Sequence, residues 1–144
     1  MTQPNDFRIA VAGPDGAWRE LTAGDPAPVD RVRAPSLSVA ADRAARASKP
    51  VFVDVDVVLA ESVRAALDLL DERHPGRPSS SIVHAGTVET LAGLLWDLWA
   101  AGVADGVTLI ADDAEALAAL ITGRMVPLLA ARRLPLQLRA PQAA

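Results

Sequence analysis

The segment that decides the fold class is the nine-residue run at positions 51–59, which reads Val51-Phe52-Val53-Asp54-Val55-Asp56-Val57-Val58-Leu59. β-Branched residues dominate this run, and they favour strands. Because successive side chains of a strand point to opposite faces, the odd-numbered residues form an apolar face, whereas Asp54 and Asp56 share the other face. The run therefore predicts a strand with one buried face and one polar face.

Strand and helix patterns alternate in the segments that follow. The next apolar residues recur at helical spacing and predict a helix that buries Val63, Ala66, Leu67 and Leu70. Strand-like segments at 81–84 and 106–110 each lead into a further helix. The first of these helices is predicted to end at a left-handed Gly102, and the second to start at Asp113 with Asp112 as its N-cap. This alternation is typical of a parallel α/β arrangement.

The N-terminal part has a different pattern. Residues 7–21 form two alternating segments around Gly13-Pro14-Asp15-Gly16 and predict a β-hairpin. The Pro and Gly residues of 22–35 predict a loop, and residues 36–48 predict a short helix capped by Ser38. The expected organisation is a hairpin and loop over 1–35, an α/β module over 36–138 and a tail over 139–144.

Length and composition exclude several classes of protein. A chain of 144 residues is one domain and is too short for a complete (β/α)8 barrel. The net charge of −4 offers no basic stripe for nucleic acid, and the absence of cysteine excludes disulfides and thiolate metal sites. Because no apolar run is long enough for a membrane span and no basic segment leads into an apolar one near Met1, we expect a cytoplasmic protein.

Three stretches of the module resemble a known family. They are residues 53–61, with their two aspartates; the segment Gly86-Thr87-Val88-Glu89, followed by residues 101–107; and residues 126–134, which begin Val-Pro and contain Arg132-Arg133. Their order and spacing are similar to the C-terminal part of the luciferase-like flavin-dependent monooxygenases, in the branch of the nitrilotriacetate and dibenzothiophene-sulfone monooxygenases. The resemblance covers about residues 36–138.

This resemblance implies an α/β fold that is a partial (β/α)8 barrel, made of the last two or three βα units with the N-terminal hairpin in front. It also implies FMN or a related flavin as cofactor. Val88 replaces the usual Pro of the family, and the strands that carry most flavin contacts have no counterpart here. Residues 10–21 are faintly similar to the family's phosphate-binding segment but lack its Ser, so we prefer the hairpin.

The candidate cofactor-binding residues are His84, Gly86 and Thr87, because a helix N-terminus can hold an anion such as a flavin phosphate. The alternative is that His84 is structural and Thr87 only caps its own helix. Asp54 and Asp56 could share a metal, but with no His nearby we favour a solvated polar face, and we expect no metal site. The catalytic residues are not assigned.

Trp96 and Trp99 lie on a helix that is apolar on more than one side, which predicts two partners for it. One should be the sheet. The other is either a second protein chain or the helix at 36–48, so a homo-oligomer or a completing chain is the expected partner. Two functions therefore stay open: a truncated luciferase-like monooxygenase that is incomplete alone, and a non-catalytic α/β binding or oligomerisation module derived from that family.

Overall fold

The computed structural model describes residues 6–24, 27–73 and 81–139. Within these ranges the strands are β1 (Arg8–Ala12), β2 (Trp18–Glu20), β3 (Asp30–Val32), β4 (Val51–Leu59), β5 (Ile82–Gly86) and β6 (Gly106–Ile110). The α-helices are α1 (Leu37–Ala45), α2 (Val63–Arg73), α3 (Val88–Ala100), α4 (Ala114–Leu120) and α5 (Val126–Ala131). A π-helical turn, Ile121–Met125, joins α4 to α5.

All six strands belong to one curled, half-barrel sheet with the order β2-β1-β6-β4-β3. Only β2 is antiparallel to its neighbour; β1, β6, β4 and β3 run parallel. The strands β3 and β5 lie on the same edge of β4. The first residues of β4 pair with β3, and its later residues pair with β5. The expected α/β class is therefore confirmed.

The main core lies on one face of this sheet. The odd-numbered residues of β4, from Val53 to Val57, pack with Val107 and Leu109 of β6 under α1, α3 and the α4–α5 segment. The helices contribute fully buried side chains, namely Leu91, Leu95, Leu98, Ile121, Met125 and Leu129. Burial of this continuous apolar surface is the main stabilising term of the fold.

The opposite face of the sheet is lined by polar and aromatic side chains. Arg8 reaches over Gly106 to the Phe52 ring, with its guanidinium carbon 5.0 Å from the ring centre. It also donates two hydrogen bonds of 2.8 Å to Glu20 of β2. We call this surface, built from even-numbered residues of β1, β4 and β6 together with β2, the inner face.

The helix α2 differs from the other helices in position. It connects β4 to β5, which lies on the far side of β4 from β6, so a right-handed crossover places it over the inner face. Its predicted core is only partly correct: Ala66 is buried, whereas Val63 and Leu67 are 44% and 45% exposed. The strands β4 and β5, on which α2 packs, do not cover all of its predicted apolar face.

Several predicted boundaries shift. The predicted loop at 22–35 contains β3, because pairing with β4 satisfies the backbone of Asp30–Val32 despite the nearby prolines. The caps are Ser36 and Asp113, whose side chains accept hydrogen bonds from Val39 and Ala116 backbone N–H groups, and not Ser38 and Asp112. The hairpin is observed, and β1 also joins the module through β6.

The helical stretch Ala114–Ala131 is 18 residues long with a mean hydropathy of 1.4, enough by length and composition to cross a membrane. The sequence reading, which required a longer uncharged run, did not anticipate it. Leu117, Ile121, Met125 and Leu129 of this stretch lie in the core. These residues recur every four positions, so one side of the stretch faces the core, and 28% of the stretch is buried.

Candidate functional site

The described part of the chain has an open depression at the carboxyl ends of β4 and β6, beside the turn that follows β1. Its volume is about 210 Å³. The residues that line it are Pro14, Asp56, Val57, Val58, Arg73, Ile110, Ala111 and Asp112. Ligands of parallel α/β sheets bind at this end of the strands, where the loops leave the sheet.

The depression combines an apolar floor with charges of both signs. Val58 and Ile110 lie on it from β4 and β6, and Pro14 closes one side. Arg73, at the end of α2, lies 3.5 Å from a carboxylate oxygen of Asp112, which lies two residues beyond β6. Among the described lining residues there are thus two carboxylates, Asp56 and Asp112, and one guanidinium.

Asp54 and Asp56 are held by arginine and serine side chains. Arg31 donates two hydrogen bonds, of 3.1 and 3.2 Å, to the carboxylate of Asp54, which is 5% exposed. Ser81 donates a hydrogen bond of 2.6 Å to Asp56, and Arg33 lies 3.7 Å from it. The expectation of a solvated face is therefore wrong for Asp54, because Arg31 of β3 and Arg33, which follows β3, pair with its carboxylate.

No group of three or more His, Asp and Glu residues that could hold a metal ion occurs in the ranges 6–24, 27–73 and 81–139. The two aspartates of β4 instead form ion pairs with Arg31 and Arg33. Both carboxylates therefore lie on the inner face, and each is paired with an arginine side chain.

His84, Gly86 and Thr87 lie together but away from the depression. His84 is paired in register with Val57, whose side chain belongs to the helix-covered core, so His84 points to that face and not to the inner face. Its Nε2 atom is 2.9 Å from the Thr90 hydroxyl oxygen. Gly86 leaves the space for this contact, since a Cβ there would overlap the Thr90 hydroxyl.

The N-terminus of α3 is already occupied by side chains of its own first turn. Thr87 Oγ1 accepts a hydrogen bond from the Thr90 backbone N–H, and Thr90 Oγ1 accepts one from the Thr87 backbone N–H. The pKa of Glu89 is held below its usual value by its own backbone N–H and by the Thr87 hydroxyl. An incoming phosphate would therefore meet a carboxylate at the position where it would bind.

The second apolar side of α3 faces the end of α5. Trp96 donates a hydrogen bond of 3.2 Å from its indole nitrogen to the backbone oxygen of Arg132, and Leu94, Trp96 and Trp99 pack against the core. Arg132, which caps α5, therefore contacts this side of α3. The sequence predicted a second chain or the helix α1 as the partner of this side. Three apolar residues of α3 thus have a partner within the chain.

Sequence reasoning missed three functional-face residues: Trp18, Arg73 and Asp112. The only signal for the last two was their position: Arg73 is the last residue of α2, and Asp112, predicted as an N-cap, lies two residues beyond β6. Trp18 lies on the inner face, with its ring 5.6 Å from the Phe52 ring. Its strand partner Ala12 is in register with Ile110 of the depression.

No protein-family model and no curated protein sequence matches this chain.

Proposed function

We propose that this chain is a half-barrel protein of the luciferase-like type that binds a small charged ligand at the carboxyl ends of its strands, and that it does not carry out flavin-dependent oxygenation by itself. The depression lined by Asp56, Arg73 and Asp112 is the observation that carries the binding role. The proposal combines the two functions that the sequence leaves open: descent from the monooxygenase family, and use as a binding module.

The strand order supports the descent from a barrel. In a (β/α)8 barrel each parallel strand lies beside the one before it, the helices cover the outside and side chains fill the inside. Here β3, β4, β6 and β1 are successive parallel neighbours. The helices α1, α3, α4 and α5 pack on one face, and polar and aromatic side chains line the other. Two features depart from a barrel: β5 lies on the same edge of β4 as β3 and not between β4 and β6, and α2 lies over the inner face.

The described residues do not fit a flavin. The depression, at about 210 Å³, is smaller than the roughly 300–1,000 Å³ of typical cofactor pockets. A flavin phosphate in it would meet the carboxylates of Asp56 and Asp112 beside the single guanidinium of Arg73. At the alternative position, the N-terminus of α3, Glu89 and Thr90 already occupy the backbone donors.

The second candidate function is a flavin-dependent monooxygenase completed by another chain, either a second copy or a different protein. The barrel-like strand order favours it, because a half-barrel leaves two open edges. The edge strands β2 and β3 are only three residues long and carry charged residues, whereas the third edge strand, β5, is five residues long. Short, charged edge strands disfavour pairing with another sheet. We therefore place the completed enzyme second. For either function we propose that the protein is located in the cytoplasm, in line with the absence of cysteine.

An FMN titration tests whether this chain by itself binds a flavin. The double variant Trp96→Phe/Trp99→Phe leaves Trp18, on the inner face, as the sole indole of the chain. We expect its fluorescence to show no saturable quenching by oxidised or reduced FMN, with folding verified by circular dichroism. Saturable quenching at micromolar FMN would overturn the proposal and favour the flavin enzyme.

The binding role is tested by amide NMR of the ¹⁵N-labelled chain with three probes: inorganic phosphate, propylamine and L-leucine. We expect at least one probe to shift the amide signals of Val58, Ile110 and Asp112 in a saturable way. If all three leave these signals unchanged in a folded sample, the depression is not a ligand site and the proposed function fails.

A further inference from the structure

We infer that the ligand of this depression is a small zwitterion with an apolar side chain, such as an α-amino acid, held between Arg73 and Asp112. The inference rests on the proposed function and gives its ligand a chemical class. The ligand carboxylate would pair with the Arg73 guanidinium, and its ammonium group with the Asp112 carboxylate.

The ion pair at the rim can be exchanged at low cost. Arg73 and Asp112 are 3.5 Å apart, longer than the roughly 2.7–2.9 Å of a good charge-assisted hydrogen bond. Their side chains are 48% and 61% exposed, and such pairs contribute little to stability. A zwitterion can enter between them and give each charge a closer partner, so neither side chain loses its counter-charge when the ligand binds.

The balance of charges disfavours ligands of one sign. A simple anion bound to Arg73 would leave the Asp112 carboxylate without its counter-charge. A simple amine bound to Asp112 would leave the Arg73 guanidinium without its counter-charge. A ligand with both charges matches both, and the nearby carboxylate of Asp56 already has Ser81 and Arg33 as partners.

The floor and the volume set the size of the ligand. Val58 and Ile110 provide an apolar surface beneath the charged rim, and Pro14 bounds it. The volume of about 210 Å³ is below the roughly 300–1,000 Å³ of pockets that take drug-sized ligands. This matches an amino acid with a branched aliphatic side chain better than a nucleotide or a peptide.

The test compares three probes that share the leucine side chain and differ in charge: L-leucine, L-leucinamide without the carboxylate, and N-acetyl-L-leucine without the ammonium group. Amide NMR titrations of the full chain should show saturable shifts for Val58, Ile110 and Asp112 with leucine. Each single-charge analogue should bind at least about tenfold more weakly, because it leaves one rim residue without its ligand partner. Equal binding of either analogue would overturn the zwitterion.

Two variants locate the contacts. Arg73→Gln should weaken leucine about tenfold and abolish its advantage over leucinamide, whereas Asp112→Asn should abolish its advantage over N-acetyl-leucine. The matched control is Arg64→Gln, which removes an exposed arginine of the same helix that pairs with Asp68. It should bind leucine as the parent does, and a loss equal to that of Arg73→Gln would overturn the assigned site.

The failure of this inference can be distinguished from the failure of the proposed function. If phosphate or propylamine shifts the signals of the depression and leucine does not, the zwitterion is wrong and the binding role stands. If none of the probes shifts them, both fail. All variants are exposed side-chain changes, and an unchanged amide spectrum outside the depression will show that they fold.

Discussion

The indole nitrogen of Trp18 donates a hydrogen bond of 3.0 Å to the hydroxyl oxygen of Thr108, ninety positions later in the chain. Trp18 belongs to the edge strand β2, and Thr108 is a fully buried residue of the central strand β6. Trp18 also contacts the Phe52 ring, and the two contacts anchor the N-terminal hairpin on the inner face. The hairpin is therefore an integral part of the sheet.

Replacement of Thr108 by Val should destabilise the protein by about 0.5–1.5 kcal/mol, because it removes the acceptor of the partly buried Trp18 N–H. Urea unfolding monitored by circular dichroism measures the change. Thr122→Val is the matched control, since its hydroxyl bonds only backbone oxygens of its own helix. An equal loss in both variants would contradict the role of the Trp18 contact.

Replacement of Gly106 by Ala should cost about 1–3 kcal/mol through overpacking. A Cβ at this position would lie 2.6 Å from the Arg8 backbone oxygen and 3.0 Å from a ring carbon of Phe52. Gly123→Ala in the π-helical turn is the opposite case: no atom lies within 4 Å, and helix propensity predicts a gain of up to about 1 kcal/mol. Thermal unfolding should move the two variants in opposite directions.

Two leucines that both follow helical patterns should differ sharply in their response to truncation. Leu95→Ala on α3 removes a fully buried side chain and should cost about 2–5 kcal/mol. Leu67→Ala on α2, where the side chain is 45% exposed, should change stability by less than about 1 kcal/mol. Denaturant midpoints measure both, and a comparable loss at Leu67 would mean that α2 is covered in solution.

Acid should weaken the fold partly through Glu20. Burial raises the pKa of this carboxyl, but hydrogen bonds from Arg8 and Thr22 and the charges of Arg8 and Arg139 outweigh burial and leave the pKa below the ordinary value of 4.5. The unfolded state therefore takes up the proton first as pH falls. The stability contributed by Glu20 is complete above pH 4.5 and is lost as pH drops through the lower pKa of the folded state.

The measurement is the free energy of unfolding as a function of pH for the parent and for Glu20→Gln. The variant should lose less stability between neutral and acidic pH than the parent. Glu115→Gln, which removes an exposed carboxylate paired with Arg19, is the control and should follow the parent profile. Parallel curves for the parent and Glu20→Gln would refute the assignment.

His84 should titrate below the usual histidine range. Burial lowers its pKa from the ordinary 6.5, because the charged imidazolium loses solvation beside α3. Its contribution to stability is thus complete above pH 6.5 and is lost as pH falls through the lower folded-state pKa. An NMR titration of the His84 ring protons measures this; an apparent pKa above 6.5 would indicate a bound anion near the α3 N-terminus and would revive the phosphate site.

The sequence by itself determined the elements whose patterns are strong and local. The strand β4 and the strand β6 have the predicted bounds, α3 begins after Thr87, and Gly102 takes the predicted positive φ of 65°. These features depend on β-branching, capping and glycine conformations, which act within a few residues. The parallel α/β class follows from their alternation.

Only the tertiary structure decided which side chains meet. The strand β3 forms because β4 offers it a backbone partner, and no local pattern at Asp30–Val32 signals this. The exposure of Leu67 and the burial of Asp54 likewise depend on which element covers each face. Arg73 and Asp112 meet at the carboxyl ends of the strands for the same reason. Helical spacing and strand alternation specify the direction of a side chain along its own element, whereas its partner is set by the order of the strands across the sheet.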